Sequence, residues 1–298
     1  MYWASGALHG PHHVNKEWAD KYKGKFDEGW DAYRERAFKN AKAKGWIPEN
    51  AQLTPRHPRL AAWDSIPEHQ KPFQSRLMEV LAGFAEHTDH QVGRIVSEIE
   101  RLGYEENTLV VYIWGDNGSS GEGQDGTISA LLAQHSVASE IEQHIEVLNK
   151  LGGLDALGSP LVDNMYHAGW AWAGSTPYQG MKLMASYLGG TRNPMAIKWP
   201  KGIKPDPKPR SQFHHCNDLV PTIYELVGIT PPKMVNGVTQ DPIHGTSFAY
   251  AFNAPDAPGE LKTQFFDIMG SRSIYHNGWM AGAAVSYTHL TLPTTPYV

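Results

Sequence analysis

Apolar residues recur at three- and four-residue spacing from Phe73 through Leu77, Leu81, Phe84, Val92, Ile95 and Ile99 to Leu102, and Gly103 follows at once. That periodicity predicts one long amphipathic helix over about 72–102, stopped by the glycine. Shortly after it, the stretch LVVYIW (109–114) is apolar at every position and then breaks into Gly115-Asp116-Asn117-Gly118. A long one-sided helix must cover an apolar surface, and a short uninterrupted apolar strand is the kind buried on both faces of a parallel sheet. Together they predict an α/β fold, with a mainly parallel sheet flanked by helices.

The remaining segments fit that alternation. EGWDAYRERAFKNAKAKG (28–45) reads as a helix closed by Gly45, and the proline-rich stretch 48–72 as a surface excursion. A second helical region covers roughly 127–151 and ends at Gly152-Gly153; RNPMAIKWP (192–200) reads as a strand. NDLVPTIYELVGI reads as a helix started by Asn217 and Asp218, with Pro221 in its first turn and Gly228 after its last. RSIYHNGWMAG reads as a strand, and AAVSYTHLTLPTTPYV after it carries no charge; residues from about 284 onward read as a sequencing or cloning scar.

Composition excludes some classes. With 298 residues, 41% hydrophobic and 19% charged, the chain can bury a sizeable core. A formal net charge of -5 opposes non-specific nucleic-acid binding. No apolar run approaches the ~20 residues of a membrane span, and Cys216 is the single cysteine, a small packed residue near a helix start. The N-terminal MYWASGALHGPHH lacks a signal peptide's charged and apolar regions and reads as the interior of a domain, beginning partway along a strand.

Chemistry can sit in four places. Asp116 and Asn117 end an apolar strand, where ligands collect in open α/β sheets; they suit a hard cation such as Ca²⁺, although on these residues alone a glycine-flanked turn is the favoured reading. His9, His12 and His13 flank Pro11 and suit either an anion site or a polar loop. His87, Asp89 and His90 lie on a helix with no third ligand evident, favouring a structural role. Lys182 and Arg192 bracket Gly189-Gly190, an arrangement that could hold an oxyanion close to backbone. No phosphate loop, dinucleotide fingerprint or GxSxG elbow is present.

In order along the chain, GALHGPHHVNKEWADKYKGKFDEGWD, LAGFAEHTDHQVGRIVSEIERLGYEENTLVVYIWGDNGSSGEG, GGTRNPMAIKWPKGI, DLVPTIYELVGI and IHGTSF resemble the type I sulfatases, in the arylsulfatase branch of the alkaline-phosphatase-like superfamily. The resemblance runs from about residue 2 to 281. It implies a partial alkaline-phosphatase-like sandwich, with residues 1–270 a partial catalytic domain and 271–283 the start of a C-terminal subdomain. It implies Ca²⁺-dependent hydrolysis of a small-molecule or carbohydrate sulfate ester, Asp116 and Asn117 as calcium ligands, His9 as a sulfate contact, and Lys182 as the lysine that binds sulfate and assists the leaving oxygen. Asn15 stands where the family usually has proline, and Tyr187 where this branch often has histidine. For the intact parent it implies a periplasmic or secreted location.

The family nucleophile is a formylglycine made from Cys or Ser in a C/S-x-P-x-R motif. This sequence has no such motif, and the family's N-terminal acidic pair is also absent. The expectation is therefore a central slice truncated at both ends, carrying part of a site and no nucleophile. Alternatives are a catalytically silent fragment or anion-binding module, and a phosphoesterase of the same superfamily holding two zinc ions.

Overall fold

The computed structural model describes residues 1–115, 117–135, 137–206 and 208–284. Asp116 and the scar expected beyond residue 284 thus lie outside the described residues. Helices α1 (Lys16–Asp20), α2 (Gly29–Ala43) and α3 (Lys71–Arg101) precede strand β1 (Val110–Ile113). Helices α4 (Ala130–Gln134), α5 (Ile141–Lys150) and α6 (Ala168–Gly174) follow, then strand β2 (Met195–Lys198) and helix α7 (Leu219–Val227). A short ladder joins β3 (Met234–Val235) to β4 (Val238–Thr239), and β5 (Thr263–Ile268), β6 (Ser271–His276) and β7 (Trp279–Ala283) follow it. No described helix is long and apolar enough to cross a membrane.

The architecture is α/β, but every strand ladder among the described residues is antiparallel. The apolar run 109–114 pairs through β1 with β2, and Ile113 and Met195 on that ribbon are exposed. The run therefore marks a half-buried pair, not a strand covered on both faces. The helical region 127–151 divides into α4 and α5, and Gly152 and Gly153 close α5 with positive φ. RSIYHNGWMAG folds as the β6–β7 hairpin, because Asn277 (φ 46°) and Gly278 (φ 87°) form a two-residue turn of left-handed residues. Gly278→Ala strains that turn and is expected to lower the urea-unfolding free energy by about 1 kcal/mol.

The core forms where α2, the first half of α3 and α6 meet. Trp30 is fully buried, edge-on to Trp63 and Trp170 and stacked 4.3 Å from the His167 ring. Its indole N–H donates to Ala61 O, as that of Trp170 does to Gln74 O, so neither ring buries an unpaired donor. Gly29 (φ 78°) permits this packing, since a Cβ there would lie 2.1 Å from Trp63 Cγ. Arg34, also buried, donates to the carbonyls of Trp172, Pro177 and Tyr178 and to Thr54 Oγ1, tying α2 to the segment after α6. Helix α1 crosses α3 against Gly83, and Arg76 of α3 bridges Asp20 and Glu79.

Candidate functional site

The segment after β1 owes its glycines to crowding. A Cβ on Gly118 (φ 89°) would lie 2.2 Å from Gly189 O, one on Gly121 2.3 Å from Met181 Sδ, and one on Gly123 2.2 Å from Tyr166 O. The loop 117–123 is thus pressed between the 180–190 loop and Tyr166. Two hydrogen bonds fix its register: Lys182 N donates to Ser119 O, and Gly118 N to Asn193 Oδ1. Gly189 and Gly190 are consumed by the same packing: a Cβ on Gly189 would lie 2.3 Å from Gly180 O and one on Gly190 2.5 Å from Met184 O.

This clamp places the Lys182 ammonium between two partners. Nζ lies 2.9 Å from Glu122 Oε2 and 3.2 Å from His9 Nε2, with the lysine side chain only 13% exposed. His9 Nδ1 is 2.7 Å from Gly10 O. A carbonyl only accepts and an ammonium only donates, so both contacts are met by the neutral ring with its proton on Nδ1. Glu122 is held in turn by the Ser120 hydroxyl at 2.8 Å. Burial pushes its carboxyl up, but hydrogen bonds from Lys182 and Ser120 and the charge of Lys182 outweigh that, and it stays ionised below the usual carboxylate range. Among the described residues the third Lys182 N–H has no acceptor, which suits an incoming oxyanion.

The structure therefore brings His9 and Lys182 together from opposite ends of the fold. Asn117 is exposed and sits two residues before Ser119, which accepts from the Lys182 backbone; Asp116 is outside the described residues. Arg192 lies over the Tyr178 ring. His87 and His90 pack on Trp18, consistent with a structural role. His12 is 1% exposed, stacked on Tyr166 with both ring nitrogens unpaired, and His13 Nε2 contacts Val162 O. Burial lowers His12 to about 3. Cys216 is exposed at a helix start, so the packed role expected for it is corrected: its thiol faces solvent instead of apolar neighbours. Nothing in the sequence singles out Glu122; its one mark is being a lone acid within a Gly/Ser run.

Calcium takes about six to eight oxygen ligands. The described residues do not fit it alone: no group of three or more His, Cys, Asp or Glu among them is placed to hold a metal, and Asn117 offers one neutral oxygen.

A family model described as Sulfatase matches residues 1–229. An uncharacterized sulfatase of Schizosaccharomyces pombe is 30% identical over 76% of this chain and 38% of its own length. An arylsulfatase of Klebsiella aerogenes is 25% identical over 82% of this chain and 49% of its own. A solved chain from glycosaminoglycan metabolism in Bacteroides thetaiotaomicron overlaps 85% of this chain and 42% of its own, with 17% identity and a TM-score of 0.42. This chain spans less than half the length of each of these relatives.

Proposed function

The chain belongs to the sulfatase family, and from that premise we propose that it carries the anion-holding part of an arylsulfatase-like, Ca²⁺-dependent sulfuric ester hydrolase. The supporting observation is the Lys182 ammonium, sheltered and hydrogen-bonded to His9, with an N–H left over for a sulfate oxygen. In this reading Lys182 holds the sulfate and donates a hydrogen bond to the oxygen that leaves, while His9, accepting from the ammonium through Nε2, orients it beside the anion. Asp116 and Asn117 are the ligands this chain contributes to the calcium, within an alkaline-phosphatase-like catalytic domain spanning 1–270 with a C-terminal subdomain starting at 271–283. The ion's chemistry is to neutralise sulfate charge. The formylglycine nucleophile comes from a C/S-x-P-x-R motif that this sequence does not contain.

The expected behaviour is binding without turnover. The full chain should bind inorganic sulfate, seen as a shift of the His9 ring resonances, and Lys182→Gln should weaken that binding at least about tenfold, the scale of one lost charge-assisted hydrogen bond. Unchanged binding in Lys182→Gln removes Lys182 from the site. Turnover of an aryl sulfate by this chain with added calcium, abolished by changing His9, overturns the division of labour.

A further inference from the structure

Resting on the reading that Lys182 holds the anion, we propose that Glu122 sets the charge selectivity of the site, disfavouring dianions such as inorganic sulfate relative to monoanionic sulfate esters.

A carboxylate on the lysine of an anion site is unexpected, since it repels the ligand that the ammonium attracts. Here the contact is built in. Glu122 meets Nζ at 2.9 Å, its other hydrogen bond comes from Ser120, and the loop carrying it cannot retreat because Gly121 and Gly123 abut Met181 and Tyr166. The two side chains are 28% and 13% exposed, so solvent screens them incompletely. Burial alone would favour the neutral acid, but the hydrogen bonds from Lys182 and Ser120 and the charge of Lys182 keep it ionised.

An oxyanion on the open N–H of Lys182 lies within a few ångströms of this carboxylate. Coulomb repulsion grows with ligand charge, so it is about twice as large for a dianion as for a monoanion at the same place. Hydrolysis of a sulfate ester consumes water and converts a monoanion into an alcohol, the sulfate dianion and a proton. A fixed negative charge beside Lys182 therefore holds the ester in preference to the product and hastens release of the product. The same discrimination applies against phosphate monoesters, which are largely dianionic at neutral pH.

Glu122→Gln is the direct test, because the amide keeps the shape, still accepts from Lys182 and loses only the charge. Inorganic sulfate and methyl sulfate are titrated at low ionic strength into the full chain, into Glu122→Gln and Glu122→Asp, and into Lys182→Gln, each checked for native near-ultraviolet circular dichroism. Glu122→Gln should tighten inorganic sulfate about tenfold more than it tightens methyl sulfate. Glu122→Asp, which keeps the charge, should hold the wild-type ratio. An unchanged ratio in Glu122→Gln, with Lys182→Gln still abolishing binding of both ions, overturns the role of Glu122 alone. Failure of both ions to bind wild type and Glu122→Gln, or binding indifferent to Lys182→Gln, overturns the anion site and this inference together.

Discussion

Replacing Arg34 with methionine is expected to lower the unfolding free energy by roughly 3–5 kcal/mol, the scale of breaking a buried charge network. Arg34 is 1% exposed, and among the described residues no carboxylate is its hydrogen-bond partner. Its charge is solvated by the carbonyls of Trp172, Pro177 and Tyr178, by the hydroxyls of Thr54 and Thr176, and by the face of the Trp172 ring. Burial lowers its pKa to about 10, which leaves it cationic at neutral pH. Methionine fills most of the volume and leaves several carbonyls facing one another without a donor. Arg34→Lys should recover less than half the loss, because an ammonium cannot reproduce the planar fork. Urea unfolding followed by tryptophan fluorescence measures both; a loss below about 1 kcal/mol for Arg34→Met would mean that water replaces the guanidinium at little cost.

Acidification from pH 7.5 to 5 is expected to remove about 4 kcal/mol more through two histidines, at about 1.4 kcal/mol per pH unit each once below the unfolded value. Burial lowers His12 to about 3 and His167 to about 4, the latter against a smaller opposing pull from Asp125. Both are neutral in the fold, whereas in the unfolded chain they titrate near 6.5. As pH falls through that value the unfolded state takes up protons that the folded state refuses, so stability falls. The decline levels off only below the folded values. Carboxylates held low, such as Asp20 and Glu122, keep their contribution until pH falls below their ordinary values, so they take no part in the decline between pH 7.5 and 5. His12→Phe should flatten the slope between pH 6.5 and 5 by about 1.4 kcal/mol per pH unit, the share of one histidine. At pH 7 it should leave stability unchanged or slightly raised, since neither His12 ring nitrogen has a partner to lose. An unaltered slope would mean that His12 reaches water and protonates within the fold.

Local structure was legible where one residue type decides the backbone. The run from Phe73 to Leu102 with Gly103 fixed α3, and Gly45, Gly152 and Gly228 all adopt the left-handed geometry that ends helices. Strand partnership was not legible. LVVYIW is equally compatible with a covered central strand and a half-buried ribbon, and only its pairing with Met195–Lys198 decides. His9 and Lys182 were visible through family resemblance, and the fold joins them. Glu122 was not, because its meaning comes from a loop pressed onto Lys182 by glycines whose own reason is tertiary crowding.

The Lys182 contacts also carry a kinetic consequence. Its partners Glu122 and His9 are 60 and 173 positions away along the chain. Local elements such as α3 can form early, but contacts closing such long loops arise late, after most of the entropy of the chain has been spent. The ammonium pocket should thus mature in the final steps of folding, and any intermediate that has its helices yet lacks those closures should show helical circular dichroism without sulfate affinity. Anion capture becomes a clock for the last event of folding.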